Sequence, residues 1–412
     1  MTTSTQEQTS SMHSEIKDSV LQQLNNSTGA SLEVAELRTR AFKALDDFAP
    51  PTPAAELWRY TSPRHFPFHT LPLTLQQSSG ESSLKLSGDR SEFEVLENPS
   101  SLGGLKELFA STISAREQES TLSYLANLHM ACTNEILIVR IPRGKQLKTP
   151  MTLSQFGTSK VRAPLIFIVC EAQSRATLID DVSAVDGFYY PRLEVVVGDG
   201  AELDFVSIQQ AAPTAKYLAR HRFHIGKDVN ARLFHAALGA SVARVDLDCR
   251  MYQAGSSVNL FGLYIADGKR HVDFHSNQEH LAPNCHTNLY YKGVAKDQSR
   301  AVYYGFIRVA EGAQKTDAYQ SNKNMILSES ARVDSIPNLN IKANDVKCSH
   351  GSSTSQVGPD ELFYMMSRGL DARAAEHLIV EGFFEDLLLK VSVPEIQARL
   401  RQEVLGKLQY AA

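Results

Sequence analysis

The sequence lacks the cysteine pattern of a disulfide-bonded or zinc-binding protein. Its five cysteines stand singly at wide spacings, their number is odd, and no CxxC pair occurs. Each is therefore expected to be a reduced thiol, and the first four to be small buried core residues. A chain of 412 residues can bury a core without covalent or metal support. The cysteines are Cys132, Cys170, Cys249, Cys285 and Cys348.

Long apolar stretches are missing as well. The longest apolar run, residues 165–170, is far below the roughly 20 residues that cross a bilayer as a helix, but it suits a buried strand. Residues 1–24 are rich in Ser, Thr and Gln and contain no apolar stretch of signal-peptide length. We therefore expect a cytoplasmic protein without a membrane partner.

Neither sign of charge dominates, and the common nucleotide motifs are absent. The 42 basic and 46 acidic residues are interspersed and give a net charge of -4, so nucleic acid is not an expected partner. The sequence contains no Walker loop, no GxGxxG before a helix and no GxSxG elbow. A process that needs the energy of ATP must therefore obtain it from another protein.

What the sequence does contain is a change of period along the chain. A helix is expected to begin after the N-cap Ser31 and to end before Pro50. From about Glu135 the pattern alternates as in strands, and helical patterns return after Gly358. The predicted parts are a disordered or weakly helical tail (1–30), a mixed, largely helical region (31–133), a core of strands (134–350) and a C-terminal helical domain (351–412).

The strand region repeats a small residue that follows a turn and precedes alternating residues. The spacing of these units is irregular, which favours a coiled solenoid over a propeller of equal blades. No long helical pattern interrupts the region, which disfavours a doubly wound sheet. We therefore predict a mainly β protein with a parallel β-helix core, and keep a β-sandwich as the alternative. The repeated small residues are Ala176, Ala201, Ala231, Ala301 and Ala331.

The C-terminal helices carry clear start and stop signals. Pro359 follows Gly358 as a first-turn proline, and Arg368 with Gly369 is expected to end this helix. Asp371 is expected to cap the next helix. Its apolar face is predicted to comprise Ala375, Leu378, Ile379, Gly382 and Phe383.

One strand presents a candidate metal-binding set. His271, Asp273 and His275 alternate along the chain and would share one face of an extended strand. In the alternative interpretation Val272 and Phe274 enter the core and the polar set faces solvent or a loop. The metal interpretation would correspond to a cupin-like metalloenzyme. A β-helix carbohydrate-active enzyme is the other enzymatic alternative, although the fold does not fix that function.

A second candidate site lies where the last predicted strand meets the C-terminal helices. Cys348 and His350 are two residues apart, so in an extended backbone they share a face. Thiolate and imidazole are ligands that suit iron-sulfur clusters. Two ligands cannot enclose such a cluster, so a site shared with another subunit would be needed. A buried thiol beside a hydrogen-bonded histidine remains the alternative.

Several segments together resemble the SufB/SufD family of iron-sulfur cluster assembly scaffolds. Near the N-terminus, Trp-Arg-Tyr-Thr at residues 58–61, followed by Pro63, is similar to the family's entry motif. Within the family, Cys-Ser-His-Gly at residues 348–351 and the chain length resemble the D paralogue. The other matching segments are His271, residues 290–293, 312–318, Pro337, 362–364 and 367–369.

The resemblance implies a right-handed parallel β-helix between helical ends, acting as a non-enzymatic scaffold. It implies pairing with SufB, binding of the ATPase SufC, and a transient iron-sulfur cluster at the interface with SufB. His350 would be this chain's contribution to the cluster, with Cys348 a weaker candidate. A flavin at the level of the complex and homodimerisation of the isolated chain are left open. SufC would dock on residues 361–384 through Leu362, Phe363, Met366 and Arg368.

Overall fold

A computed structural model describes residues 32–68, 82–96, 99–113, 120–133, 135–157 and 161–408. The predicted tail, residues 1–30, lies outside these ranges. The N-terminal region is mixed, and its first α-helix continues as a 3-10 helix (Leu45–Asp47) and ends before Pro50, as the sequence predicts. The predicted N-cap Ser31 lies outside the described residues. Its elements are helices α1 (Leu32–Ala44), α2 (Lys106–Ile113) and α3 (Ser120–Cys132), and strands β1 (Leu84–Ser87) and β2 (Glu94–Leu96).

From Glu135 to Gln356 the described chain runs from strand to strand without a helix. The strands are β3 (Glu135–Ile141), β4 (Met151–Gly157), β5 (Val161–Arg162), β6 (Pro164–Cys170), β7 (Arg175–Val185), β8 (Phe188–Tyr189), β9 (Arg192–Val197), β10 (Glu202–Gln209), β11 (Lys216–Ile225), β12 (Asn230–Ala237), β13 (Val242–Met251), β14 (Ser257–Ala266), β15 (His271–His280), β16 (His286–Ala295), β17 (Arg300–Val309), β18 (Asp317–Ile326), β19 (Arg332–Ile341) and β20 (Lys347–Gln356).

The strands form two facing sheets, and the chain passes from one sheet to the other at each half turn. Sheet A has the order β1-β4-β7-β10-β12-β14-β16-β18-β20, and the main path of sheet B is β19-β17-β15-β13-β11-β9-β6-β3-β2. Neighbouring strands are parallel, except that β1 and β2 pair antiparallel with β4 and β3. This arrangement is a parallel β-helix, which confirms the predicted core and rules out the sandwich alternative.

The core lies inside the coil because alternate residues of both sheets point inward. Inward side chains such as Leu233, Leu260 and Val245 form one large apolar cluster. The five alanines noted in the sequence are all buried in this cluster. Ala176, Ala231 and Ala301 are second residues of strands, whereas Ala201 and Ala331 precede strands. Each turn of the coil contains two main strands, and the repeated alanines therefore do not all occupy the same position within a turn.

Three C-terminal helices complete the chain: α4 (Pro359–Ser367), α5 (Ala372–Leu388) and α6 (Pro394–Leu408). As predicted, α4 begins with Pro359 after the N-cap Gly358, and the Asp371 carboxylate accepts a hydrogen bond from the Ala374 amide at 2.8 Å. Helices α5 and α6 cover the outer face of sheet A. None of the helices in the described ranges has the length and apolar character needed to cross a bilayer.

The predicted apolar face of α5 is wrong in part. Ala375 is buried, and Ile379 and Phe383 pack partly buried against the cluster on sheet A, but Leu378 is 47% exposed and Gly382 is also exposed. The fully buried residues that contact sheet A were not predicted, and they are Val380, Phe384 and Leu387. The helix carries apolar residues on more than one side, and the apolar outer face of sheet A decides which of them are buried.

The two ends of the coil differ. At the start, β1 and β2 pair with the first coils. At the C-terminal end, β19 and β20 are the last strands of their sheets, and no described strand pairs with their outer edges. The predicted core boundary at residue 350 falls inside β20, which keeps its parallel register with β18 up to Gln356.

Candidate functional site

The outer edge of β20 presents a row of backbone groups that no described strand pairs with. The Lys347 amide donates to the Thr316 carbonyl at 2.8 Å, so Lys347 directs its backbone groups toward β18. In a parallel ladder every second residue faces the neighbouring strand, and the residues between face the opposite way. The outward residues of β20 are therefore Cys348, His350, Ser352, Thr354 and Gln356.

The side chains of Cys348 and His350 share the inward face of this last strand, as the sequence spacing predicts. Cys348 lies beside Ala318 and His350 beside Gln320 in the register between β20 and β18. Ala318 and Gln320 are buried inside the coil. His350 is exposed, and no hydrogen bond from its imidazole to another described residue is found. The histidine therefore stands at the open end of the coil, available to a ligand.

Cys348 is less suited to be a ligand than His350. Its thiol packs against the small apolar cluster around Ala313 and Ala318. Partial burial raises the pKa of Cys348, and nearby Asp317 adds to this, although a backbone hydrogen bond from Ala318 opposes it. A metal ligand needs the thiolate. The protonated thiol therefore favours a packing role for Cys348 within the isolated chain.

A hydrogen-bonded polar network lies directly behind this end. The Tyr264 hydroxyl donates to Asn324 at 2.5 Å and accepts from Asn322 at 3.1 Å. Asn322 accepts from the Ser335 hydroxyl, which in turn accepts from Ser352 at 2.8 Å. The network links the buried interior to the exposed last coil. These residues were not predicted from the sequence, although two asparagines, a residue type that is depleted in strands, alternate at inward positions of β18 as a readable signal.

The candidate metal set of β15 has other partners in the structure. The Thr61 hydroxyl donates to the Asp273 carboxylate at 2.5 Å and lies 2.6 Å from His271 Nε2. His275 Nε2 lies 3.0 Å from the other Asp273 oxygen, and Arg244 Nη1 lies 3.6 Å from Asp273. Within the described residues, no group of three or more His, Cys, Asp and Glu side chains is arranged to hold a metal ion.

This cluster joins the N-terminal motif to the coil. The Arg244 guanidinium donates to the Leu57 carbonyl at 2.6 Å and lies 4.1 Å from the Trp58 ring centroid. Burial would raise the pKa of Asp273, but His275, Arg244 and His271 outweigh it and hold that pKa well below its usual range. Burial lowers the pKa of His271 to about 4. A neutral His271 and an ionised Asp273 therefore bind one threonine hydroxyl.

The hydrogen bonds of Thr61 with His271 and Asp273 form a joint between the N-terminal region and the coil. Replacing Thr61 by valine tests this joint. The substitution keeps the shape but removes the hydroxyl that satisfies His271 and Asp273, so we expect a loss of about 1–3 kcal/mol in the free energy of unfolding. Thr39→Val, a matched change on the partly buried face of α1, should cost less. Chemical unfolding of both variants measures the difference. An unchanged stability in Thr61→Val would show that the joint does not hold the two regions together.

The predicted ATPase-docking residues lie on α4, which the structure leaves largely uncovered. No residue of α4 is buried, and Phe363 and Met366 are 74% and 45% exposed. Leu362 is partly buried. Arg368 caps the helix, and its guanidinium donates to the Tyr364 hydroxyl at 3.1 Å. The helix thus presents exposed apolar side chains that a globular surface normally covers.

Comparison with protein families gives a match over more than half of the chain. Residues 153–383 match the family described as SUF system FeS cluster assembly, SufBD core domain. The matched region begins in β4 and ends in α5, so it contains most of the coil, including β20, and the exposed helix α4.

Individual relatives agree with the family match. An iron-sulfur cluster assembly SufBD family protein of Mycobacterium tuberculosis is 31% identical over 67% of this chain and 72% of its own length. The iron-sulfur cluster assembly protein SufD of Escherichia coli is 28% identical over 57% of this chain and 55% of its own. The SufD protein of Bacillus subtilis is 24% identical over 69% of this chain and 67% of its own.

Proposed function

Because the chain belongs to the SufBD family of the SUF system for iron-sulfur cluster assembly, we propose that it is the D-type scaffold subunit of that system. In this role the chain catalyses no reaction by itself. It pairs with SufB, binds the ATPase SufC, and supplies part of a site at which a nascent cluster forms. The cluster is cargo that is built and passed on.

The open end of the coil is the observation that carries this proposal. A free strand edge invites pairing with another chain, and proteins that avoid such pairing block the edge with proline or charge. The outward backbone positions of β20 contain no proline and no charged residue. Pairing of a SufB strand with β20 would therefore complete backbone hydrogen bonds that the described strands of this chain leave open.

The outer edge of β19, the last strand of sheet B, contains a proline at an outward position, unlike the edge of β20. The Arg332 amide donates to the Ser299 carbonyl, so the even residues of β19 face β17 and the odd residues face outward. Pro337 is an odd residue, and its missing N–H therefore costs no bond within sheet B. It does remove a donor from the middle of the free edge. This favours β20, the strand that carries His350, as the main pairing edge.

The site itself is incomplete in a way that fits a shared cluster. No described residue hydrogen-bonds to the His350 imidazole, and Cys348 beside it holds a protonated thiol. An iron-sulfur cluster takes four protein ligands in its common forms. A second subunit that pairs with β20 would bring its own ligands to the end of the coil at which His350 lies.

A single proline tests the pairing edge. Thr354→Pro removes an outward N–H without removing a ladder bond to β18, so the chain should still fold. We expect its affinity for SufB to fall about tenfold, which corresponds to about 1.4 kcal/mol. Titration of purified SufB against the variant by calorimetry measures this.

Thr354→Ala is the matched control, because it removes the side chain and keeps the N–H. Its affinity for SufB should equal that of the wild type. If Thr354→Pro bound SufB as tightly as Thr354→Ala, pairing through the edge of β20 would be refuted, while SUF family membership would stand.

A further inference from the structure

Residues that are register partners on successive strands of sheet A form a column along the coil. One inward column changes from apolar to polar residues in the last two strands. Through the middle of the coil this column is apolar, and its members are buried. In β18 the column continues with a buried amide, and in β20 with His350. The column in strand order is Leu178, Phe205, Leu233, Leu260, Leu289, Gln320 and His350.

The buried amide of Gln320 is only partly satisfied. Its side-chain oxygen accepts from Gln278 Nε2 at 3.4 Å, which is a long hydrogen bond. Gln320 Nε2 and Gln278 Oε1 have no partner among the described residues. A leucine at this position would continue the apolar column and bring no polar group of its own, at the loss of the one long hydrogen bond from Gln278. The fold therefore carries an amide here at a cost to stability.

The opposite sheet makes room for this amide. A Cβ atom on Gly305 would lie 2.2 Å from Gln320 Nε2, so any larger residue at position 305 would displace the amide. Gly305 has an ordinary negative φ, so the glycine is needed for space rather than for backbone conformation. Both walls of the coil are thus adapted to Gln320.

We propose that Gln320 is a positioning residue for His350, whose ring N–H donates a hydrogen bond to the Gln320 amide oxygen when the site is assembled. The two residues are register partners on the inward face of adjacent strands, which lie about 4.8 Å apart. The inference rests on the proposed function, because it assigns His350 the role of a cluster ligand.

The chemistry explains why an amide, and not leucine, stands beneath the histidine. A histidine that binds a metal through one ring nitrogen almost always donates its other N–H to an oxygen, which fixes the tautomer and ring orientation. The two ends of a glutamine amide exchange by a simple flip. Flipping both amides lets Gln320 Nε2 donate to Gln278 Oε1, and leaves Gln320 Oε1 free for His350.

Three variants of the full complex with SufB and SufC test this role. Gln320→Leu restores the column and is expected to fold and to pair with SufB normally, yet to lower cluster yield about tenfold, as removal of a group that supports a ligand typically does. Gln320→Glu keeps an oxygen at the same reach and should retain most of the yield. His350→Ala provides the reference for complete loss of the ligand.

Anaerobic reconstitution with iron and sulfide gives the yield, and pulsed electron paramagnetic resonance of the reduced cluster gives the histidine nitrogen coupling. We expect a weakened or heterogeneous coupling in Gln320→Leu and a normal one in Gln320→Glu. Equal losses in Gln320→Leu and Gln320→Glu, or a wild-type yield and coupling in Gln320→Leu, would overturn the positioning role. If His350→Ala also kept the wild-type yield, the proposed function of the site would fail with it.

Discussion

His350→Ala is expected to lower the yield of iron-sulfur cluster on the assembled complex by about a hundredfold, the upper end of what loss of a residue that merely supports a ligand produces. The physical reason is that the imidazole is the one exposed ligand-type side chain on the inward face of β20. Its removal leaves the strand and its backbone edge intact, so pairing with SufB should persist. Iron and sulfide per complex after anaerobic reconstitution measure the effect.

His286→Ala is a matched control for this prediction. His286 lies in the same sheet, at the start of β16, and its side chain is 44% exposed at 3.7 Å from Asp317. It stands on the outer face, two strands before β20, so its removal should leave the yield unchanged. A wild-type yield in His350→Ala, in vitro and in cells, would remove this residue from the mechanism.

Changing Phe363 and Met366 together to glutamate is expected to weaken binding of SufC by at least about 3 kcal/mol, or roughly a hundredfold, because exposed apolar anchors dominate such interfaces. Helix α4 buries none of its own residues, so the double variant should not disturb the fold. Co-purification with SufC, followed by a titration of the purified proteins, gives the affinity.

Point variants are a sharper test here than deletion of everything after Gly358. Helices α5 and α6 cover apolar residues of sheet A such as Ile208 and Phe234, and their removal would expose this surface. Leu389→Glu is the control, because Leu389 is 63% exposed after the end of α5. Full SufC binding by the α4 double variant would place the ATPase interface elsewhere on the chain.

The architecture was predictable because the local signals agree with the global fold. Alternation along each strand, buried alanines at turns and the absence of helical patterns all indicate a solenoid of strands. Two helix starts were predicted correctly because their signals are local: Pro359 suits the first turn of α4, and the Asp371 carboxylate accepts from the Ala374 amide. The buried face of α5 was partly wrong, because that face depends on sheet A, a distant part of the chain.

Of the candidate site, only the last strand, with Cys348 and His350, was predictable from the sequence. The spacing of Cys348 and His350 places them on one face, since strand side chains alternate with a period of two. The interpretation of His271, Asp273 and His275 needed the fold, because their partner Thr61 lies far away in sequence. Gln320 was not predicted either, since only the register between β18 and β20 shows that it lies beside His350.

The central claim is that this chain contributes a histidine to a cluster that neither subunit completes alone. It can be measured by labelling only this chain with nitrogen-15 histidine, reconstituting a cluster on its complex with SufB and SufC, and recording pulsed electron paramagnetic resonance. We predict a nitrogen-15 coupling to the cluster that disappears in His350→Ala, and no cluster on the labelled chain alone. A cluster on the complex without this coupling, or a full cluster on the isolated chain, would contradict the account.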